Sequence, residues 1–226
     1  MRAALISILL LATILSEAQT TTLKKSKKIP FRNLLKNNGL DIDPNLPNHF
    51  ESIQPLNKYS NHYFNFTTDL PDNWKLERGN ALITVIKAID EESASHVSIG
   101  VSPLNTSRSH SAYQKDPLKE LNRVSKGGYF NMMKKALVEN AIPKPYGFRL
   151  SSEKVGSINY SKFVYKLTEV TDVGDVEVTT ILYQTELWNT IFTFTYASPT
   201  IFFDESIITE VLKNTVYFNP NINFSE

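Results

Sequence analysis

Four histidines, His49, His62, His96 and His110, are the first residues to test for chemistry, and their spacing supports none. Helical metal sites use His-x3-His or His-Glu-x2-His, which set two imidazoles on one face, and neither pattern occurs. A transition-metal site would have to be assembled in space. His96 falls inside a strand pattern and reads as an ordinary sheet residue. Acidic oxygens cluster more closely at Asp172, Asp175 and Glu177 around Gly174, and these are ligand types that calcium uses. A hairpin turn asks for Asp and Gly on its own account, so the turn explains these metal candidates without an ion. Hydrolytic chemistry has less support. There is no Gly-x-Ser-x-Gly elbow, no glycine loop to cradle a phosphate and no cysteine nucleophile. Glu91 and Glu92 are adjacent carboxylates in a turn, where solvated charge is the ordinary state. No catalytic residue and no cofactor is assigned.

Binding is the other chemistry open to the side chains. Trp74, Trp188 and tyrosines such as Tyr129, Tyr146, Tyr160, Tyr165, Tyr183 and Tyr196 suit a groove between sheet and helix. Such rings pack while their polar tips find partners. Taken singly, each is more often core than contact. The binding candidates are Trp74, Trp188 and the run Tyr129, Phe130 and Met132, which follows the Gly127-Gly128 pair. Two adjacent glycines cost about 1 kcal/mol each relative to Ala inside a helix, so the helix over 116–141 should weaken or split there.

The elements that would position these residues centre on Val176 to Pro199. In its second half Thr190, Phe192, Phe194 and Tyr196 share one side, with Ile191, Thr193 and Thr195 on the other. That period of two predicts a strand, paired through a turn near Glu186 to Asn189 with the strand before it. Upstream, Tyr63, Phe64 and Phe66 open a strand that ends at Leu70-Pro71, and 81–89 and 96–101 form a pair. Residues 103–115 read as loop. Asp116 at the N-cap and Pro117 at the first helical position start the long helix. Strands over 148–155 and 157–170 lead into the central pair. After it, Phe203, Ile207, Ile208, Val211 and Leu212 make the apolar stripe of a second helix, followed by a short strand at Val216-Tyr217-Phe218. Strands joined by hairpins and covered by two amphipathic helices predict an α+β fold, with an antiparallel β-sheet of about six or seven strands.

The chain has 226 residues, 41% of them hydrophobic, enough for one sizeable core. Its start reads as a secretion signal. Arg2 precedes the apolar run Ala3 to Leu15, and Ser16-Glu17-Ala18 sets small residues around a cleavage site. The run is shorter than the roughly 20 residues a membrane span needs. Up to residue 36 there are seven Lys or Arg against one Glu, a net of +6, which leaves −5 for the rest of a chain whose total is +1. A mildly acidic body argues against nucleic acid as partner. The domain organisation that follows is a signal peptide at 1–18, a basic, Pro- and Asn-rich leader, mostly irregular, at 19–58, one α+β domain at 59–219 and a tail at 220–226. Lys24, Lys25, Lys27 and Lys28 offer a handle for an anionic surface. The absence of cysteine tilts the compartment towards a bacterial periplasm or exterior.

Two stretches resemble the PsbP-like fold family. Phe64-x-Phe66-x3-Leu70-Pro71-x2-Trp74 is similar to that family's opening of aromatic strand, Leu-Pro and Trp. Tyr196-Ala197-Ser198-Pro199, a Phe-led helix and Val216-Tyr217-Phe218 are similar to its close. The resemblance covers about 60–219 and implies an α/β/α sandwich serving as a non-enzymatic binding or assembly module. The expected function is therefore a secreted or periplasmic module that recognises an envelope partner or ligand. The alternative is a hydrolase whose site forms only in space, and convergence of Ser, His, Asp and Glu in one cleft would tell them apart.

Export makes a direct prediction. Intact-mass measurement of the secreted protein should give Gln19 as its first residue, and a mature chain retaining Leu9 to Leu11 would contradict the reading.

Overall fold

The computed structural model describes residues 51–54, 57–79, 84–103, 110–124, 128–140, 144–172 and 174–219. The signal peptide, the Lys24 to Lys28 handle, His49, Gly127 and the tail from Pro220 lie outside the described residues. Seven antiparallel strands make the main sheet: β4 (Lys75–Arg78), β5 (Thr84–Asp90), β6 (Ser95–Pro103), β7 (Tyr146–Val155), β8 (Ile158–Thr171), β9 (Gly174–Leu187) and β10 (Thr190–Pro199). Their spatial order is β4-β5-β6-β10-β9-β8-β7. A smaller sheet, in the order β1-β2-β3-β11, joins β1 (Glu51–Gln54), β2 (Lys58–Asn61), β3 (Phe66–Asp69) and β11 (Val216–Tyr217). Helices α1 (His110–Lys115), α2 (Pro117–Val124), α3 (Tyr129–Asn140) and α4 (Glu205–Lys213) complete the α+β fold. Among the described residues no helix is long and apolar enough to cross a membrane.

Both faces of the main sheet are covered, and the strand alternation decides which residue meets which layer. On one face Phe192, Phe194 and Tyr196 of β10, with Ile181 and Tyr183 of β9, pack with Tyr59 and Phe66 of the small sheet and Ile208, Val211 and Leu212 of α4. On the other, Phe163, Tyr165 and Leu167 of β8 and Val178 and Leu182 of β9 pack under Tyr113, Leu121, Tyr129, Met133 and Leu137 of the first three helices. The side-sharing expected for Phe192, Phe194 and Tyr196 of β10 is what the sheet shows. The turn between β9 and β10 is the two residues Trp188 and Asn189, with φ of +46° and +60°. Such a primed turn matches the twist of its strands. A Trp in that left-handed region costs about 1–2 kcal/mol, and its ring packs against the first core.

Several boundaries differ from the sequence reading. Tyr63 and Phe64 lie in a turn rather than a strand, because the Asn61 Oδ1 accepts both their backbone N–H groups, at 3.1 and 3.0 Å. Ordered strands also precede His62, since β1 and β2 pair from Glu51↔Asn61 to Gln54↔Lys58. The expected loop at 103–115 contains α1, whose six residues have little helical pattern. Tertiary bonds hold it: the Tyr113 hydroxyl donates to the Gln184 carbonyl at 2.7 Å, and Gln114 bonds Thr185 and Asn159 at 2.8 and 2.9 Å. Strand β4, with the sequence KLER, carried no strand signal and forms because β5 offers it a paired edge. The long helix is split as its glycines suggested. Asp116 caps α2 through the Lys119 N–H, and Gly128, at φ +88°, precedes α3.

His96, 5% exposed on β6, is held down to about pKa 3 by burial and then by the nearby Lys87 charge. Because the unfolded imidazole takes its proton near pH 6.5, the unfolded state binds more protons between about 6.5 and 3. Stability is therefore fully present above pH 6.5 and falls as pH drops towards 3, by at most about 1.4 kcal/mol per unit. Urea unfolding across that window should show the slope, and His96→Gln should flatten it. An unchanged slope would refute the assignment.

Candidate functional site

Strand β7 is the last strand of the main sheet, and an open groove of about 630 Å³ runs over it. Alternation along β7 sends Phe148 and Leu150 to the α1–α3 face, where they pack on the second core beside Phe130 of α3. It sends Arg149 and Ser151 to the α4 face, where Lys162, Val164 and Glu205 line the groove. Phe130 is fixed against Phe163 and Phe148 against Phe163 and Tyr165, with ring centroids 5.9–6.3 Å apart. Lys134, one turn after Phe130, places its Nζ 5.7 Å from the centre of the Phe148 ring.

The polar side of the groove is organised by Lys162. Strand register sets it between Ser151 of β7 and Tyr183 of β9. Its side chain is 16% exposed, and its ammonium bonds Glu153 at 3.0 Å and also bonds Glu205. The Tyr183 hydroxyl donates to the same two carboxylates, at 2.9 Å to Glu153 and 3.1 Å to Glu205. Burial disfavours the Lys162 charge, but hydrogen bonds with Glu205, Tyr183 and Glu153 together outweigh it and leave the ammonium raised above its ordinary value. Burial likewise raises the Tyr183 hydroxyl, although Lys162 opposes this, so it stays a neutral donor. Glu205 owes its place to the start of α4, where Asp204 caps the helix by accepting the Ser206 N–H at 2.9 Å.

The residues singled out from sequence are dispersed. Phe130 lines the groove, and Met132 is half-buried against the same core. Tyr129 is 3% exposed and donates its hydroxyl to Gln184 Oε1 at 3.0 Å, so it anchors α3 instead of facing solvent. Trp74 packs on the opposite core, 6.4 Å from the Tyr196 ring, and Trp188 occupies the β9–β10 turn. Asp172 and Asp175 are exposed in the β8–β9 hairpin. Glu177 is turned to Lys166 at 2.7 Å and to the Tyr146 hydroxyl, contacts that with Thr200 hold its carboxyl down to about 2. Among the described residues no group of three His, Asp or Glu side chains is placed to hold a metal ion. The sequence reading missed Lys162, Glu153, Glu205, Phe148 and Arg149. A lysine on the inward face of an amphipathic strand was the one available sign.

No protein-family model matches the chain, and no curated protein matches it in sequence. Among solved structures it is similar to a protein from Bacteroides thetaiotaomicron VPI-5482 at 13% identity and a TM-score of 0.44, over 77% of this chain and 50% of the other. The chain thus spans half the length of that protein. It is similar to cyanobacterial PsbP (CyanoP) from Synechocystis sp. PCC 6803 at 11% identity and 0.46, over 74% of this chain and 95% of the other. It is also similar to LpqN, involved in cell envelope biogenesis of Mycobacterium tuberculosis, at 12% identity and 0.34, over 67% and 82%. A PsbP is thus among the structures this chain resembles.

Removing the Lys162 charge leaves two carboxylates facing each other beside Tyr183. Lys162→Met should cost about 1–2 kcal/mol, less than for a fully buried pair because Glu153 and Glu205 are partly exposed. Adding Glu153→Gln and Glu205→Gln should restore most of it. Chemical denaturation of the single and the triple variant checks both statements, and a neutral Lys162→Met would show the cluster to be incidental.

Proposed function

We propose that the chain is a secreted or periplasmic, non-catalytic binding module that takes an envelope partner at the β7 groove. The observation that supports this most is the state of Lys162. Ser151 stands directly across from it in the β7–β8 register, the nearest arrangement to a nucleophile and base in the groove. A lysine acts as a base only when neutral, which calls for an apolar or cationic setting that lowers its affinity for the proton. Here two carboxylates and a tyrosine do the reverse. Among the described residues no His joins the groove lining, and buried His96 lies on β6, separated from β7 by three strands of the sheet. What the groove does present suits recognition: an apolar wall of Phe130, Phe148 and Leu150 on one face of the sheet, and on the other Val164, an exposed Arg149 and a charged cluster. The basic leader, carrying Lys24, Lys25, Lys27 and Lys28, adds an electrostatic handle for an anionic surface.

A photo-crosslinker placed at Ser151 should give a covalent adduct in the native envelope, identifiable by mass spectrometry. The same group at Asp72, on the small-sheet side, should not. Phe130→Ala should lower the thermal midpoint, since the ring also packs on Phe163, and should weaken the Ser151 adduct at a temperature where the variant is still fully folded. Adducts from Asp72 alone would move the site elsewhere. Turnover of an ester, peptide or glycoside that Ser151→Ala abolishes would replace binding with catalysis.

A further inference from the structure

The two edges of the main sheet are built differently, and the difference points to the kind of partner. Strand β4 is four residues long and of mixed charge, with Lys75 paired to Glu77 and Glu91 at 3.4 and 3.1 Å. Short, charge-balanced edges are a common defence against unwanted strand pairing. Strand β7 is ten residues long, and its outer side pairs with no strand among the described residues. The register with β8 shifts between Tyr146 and Arg149, where Gly147 has φ of +65°, and is then regular from Arg149 to Val155. That regular stretch begins at the groove. Four consecutive β7 residues, Phe148 to Ser151, line it with side chains on both faces of the sheet.

We propose that the β7 edge accepts an extended acidic polypeptide segment as an eighth strand of the main sheet, an inference that rests on the groove being the binding site. Strand addition uses the free backbone groups of an edge for affinity and alternate side chains for choice of partner. On β7 the alternation is marked. A strand laid along it turns every second side chain towards Phe130, Phe148 and Leu150, and the others towards Arg149 and Ser151. The sign of the partner's charge follows from the surroundings. Lys134, Lys144, Arg149 and Lys154 flank the edge, while the carboxylates of Glu153 and Glu205 are already engaged by Lys162. This basic edge belongs to a body of net charge −5, so it is a local reversal of the prevailing sign. A second copy of the chain would bring two such edges together, and the basic leader would meet like charge. An acidic strand with aliphatic or aromatic residues at alternate positions is the complement of both walls.

The test pans a displayed library of random short peptides on the mature chain. Enriched sequences should be net acidic with apolar residues at every second position. A synthetic copy of one should bind about tenfold more weakly to the Arg149→Glu variant and weaken further as salt rises. N-methylation of alternate backbone amides in the peptide should abolish binding on one register only, since just one set of N–H groups faces β7. That readout leaves the protein unaltered and does not depend on a variant folding. Enrichment of neutral or basic sequences, no enrichment, or equal binding of both N-methylated forms would each overturn the acidic strand. If the Ser151 crosslink to an envelope partner persists in any of those cases, the groove stands and only its occupant is wrong. If the crosslink is also absent, the site falls with it.

Discussion

A sheet covered on both sides is the constraint from which the other features follow. Strand β9 is buried without a break from Val178 to Leu187, so its residues cannot divide into an apolar and a solvated set. Polar residues there must find partners inside. Gln184 does so through Tyr113 and Tyr129, and Thr185 through Gln114 and Asn159. These bonds place α1 and α3 at fixed positions over the sheet. Helices that owe their place to buried hydrogen bonds as well as apolar area cannot slide without leaving donors unmet, and removing such a partner costs about 1–3 kcal/mol.

The same two-sided cover explains Lys162. The α4 face has aromatic residues on β9 and β10, and Lys162 stands at its β7 side, where the open groove lies. A lysine at that margin can bury its stem and keep its charge only if carboxylates meet it. Glu153 comes from the edge strand and Glu205 from the first turn of α4. The cluster therefore ties α4 to the β7–β8 hairpin across the sheet margin, and it stiffens the wall of the groove beside it. The ion cluster thus sits where the cover of the sheet ends, beside the groove.

Much of the fold was legible in the chain. The period of two in Phe192, Phe194 and Tyr196 put these rings on one side of their strand, and the packing gathers them in one core; that Phe163, Tyr165 and Leu167 meet the opposite core was decided by the tertiary structure. Asp116-Pro117 marked the start of α2, and the paired glycines marked a break before α3. These are local effects, in which a side chain or backbone preference acts within a few residues of itself. Elements that owe their existence to distant partners were not legible: α1 rests on Tyr113 and Gln114 reaching β8 and β9, and β4 rests on the edge of β5.

The sequence by itself determined the alternation that builds the sheet, the caps that start its helices, the charge split between residues 1–36 and the rest of the chain, and the absence of any short motif for catalysis. Each of these is set by neighbours along the chain or by composition alone. Only the tertiary structure decided that Phe130, Phe148, Arg149, Lys162 and Glu205 share one groove, since they come from α3, β7, β8 and α4. Strand register carried Lys162 beside Ser151, and the packing of α4 carried Glu205 to Lys162. Register and helix docking minimise free energy over the whole molecule, so no window of the sequence contains them.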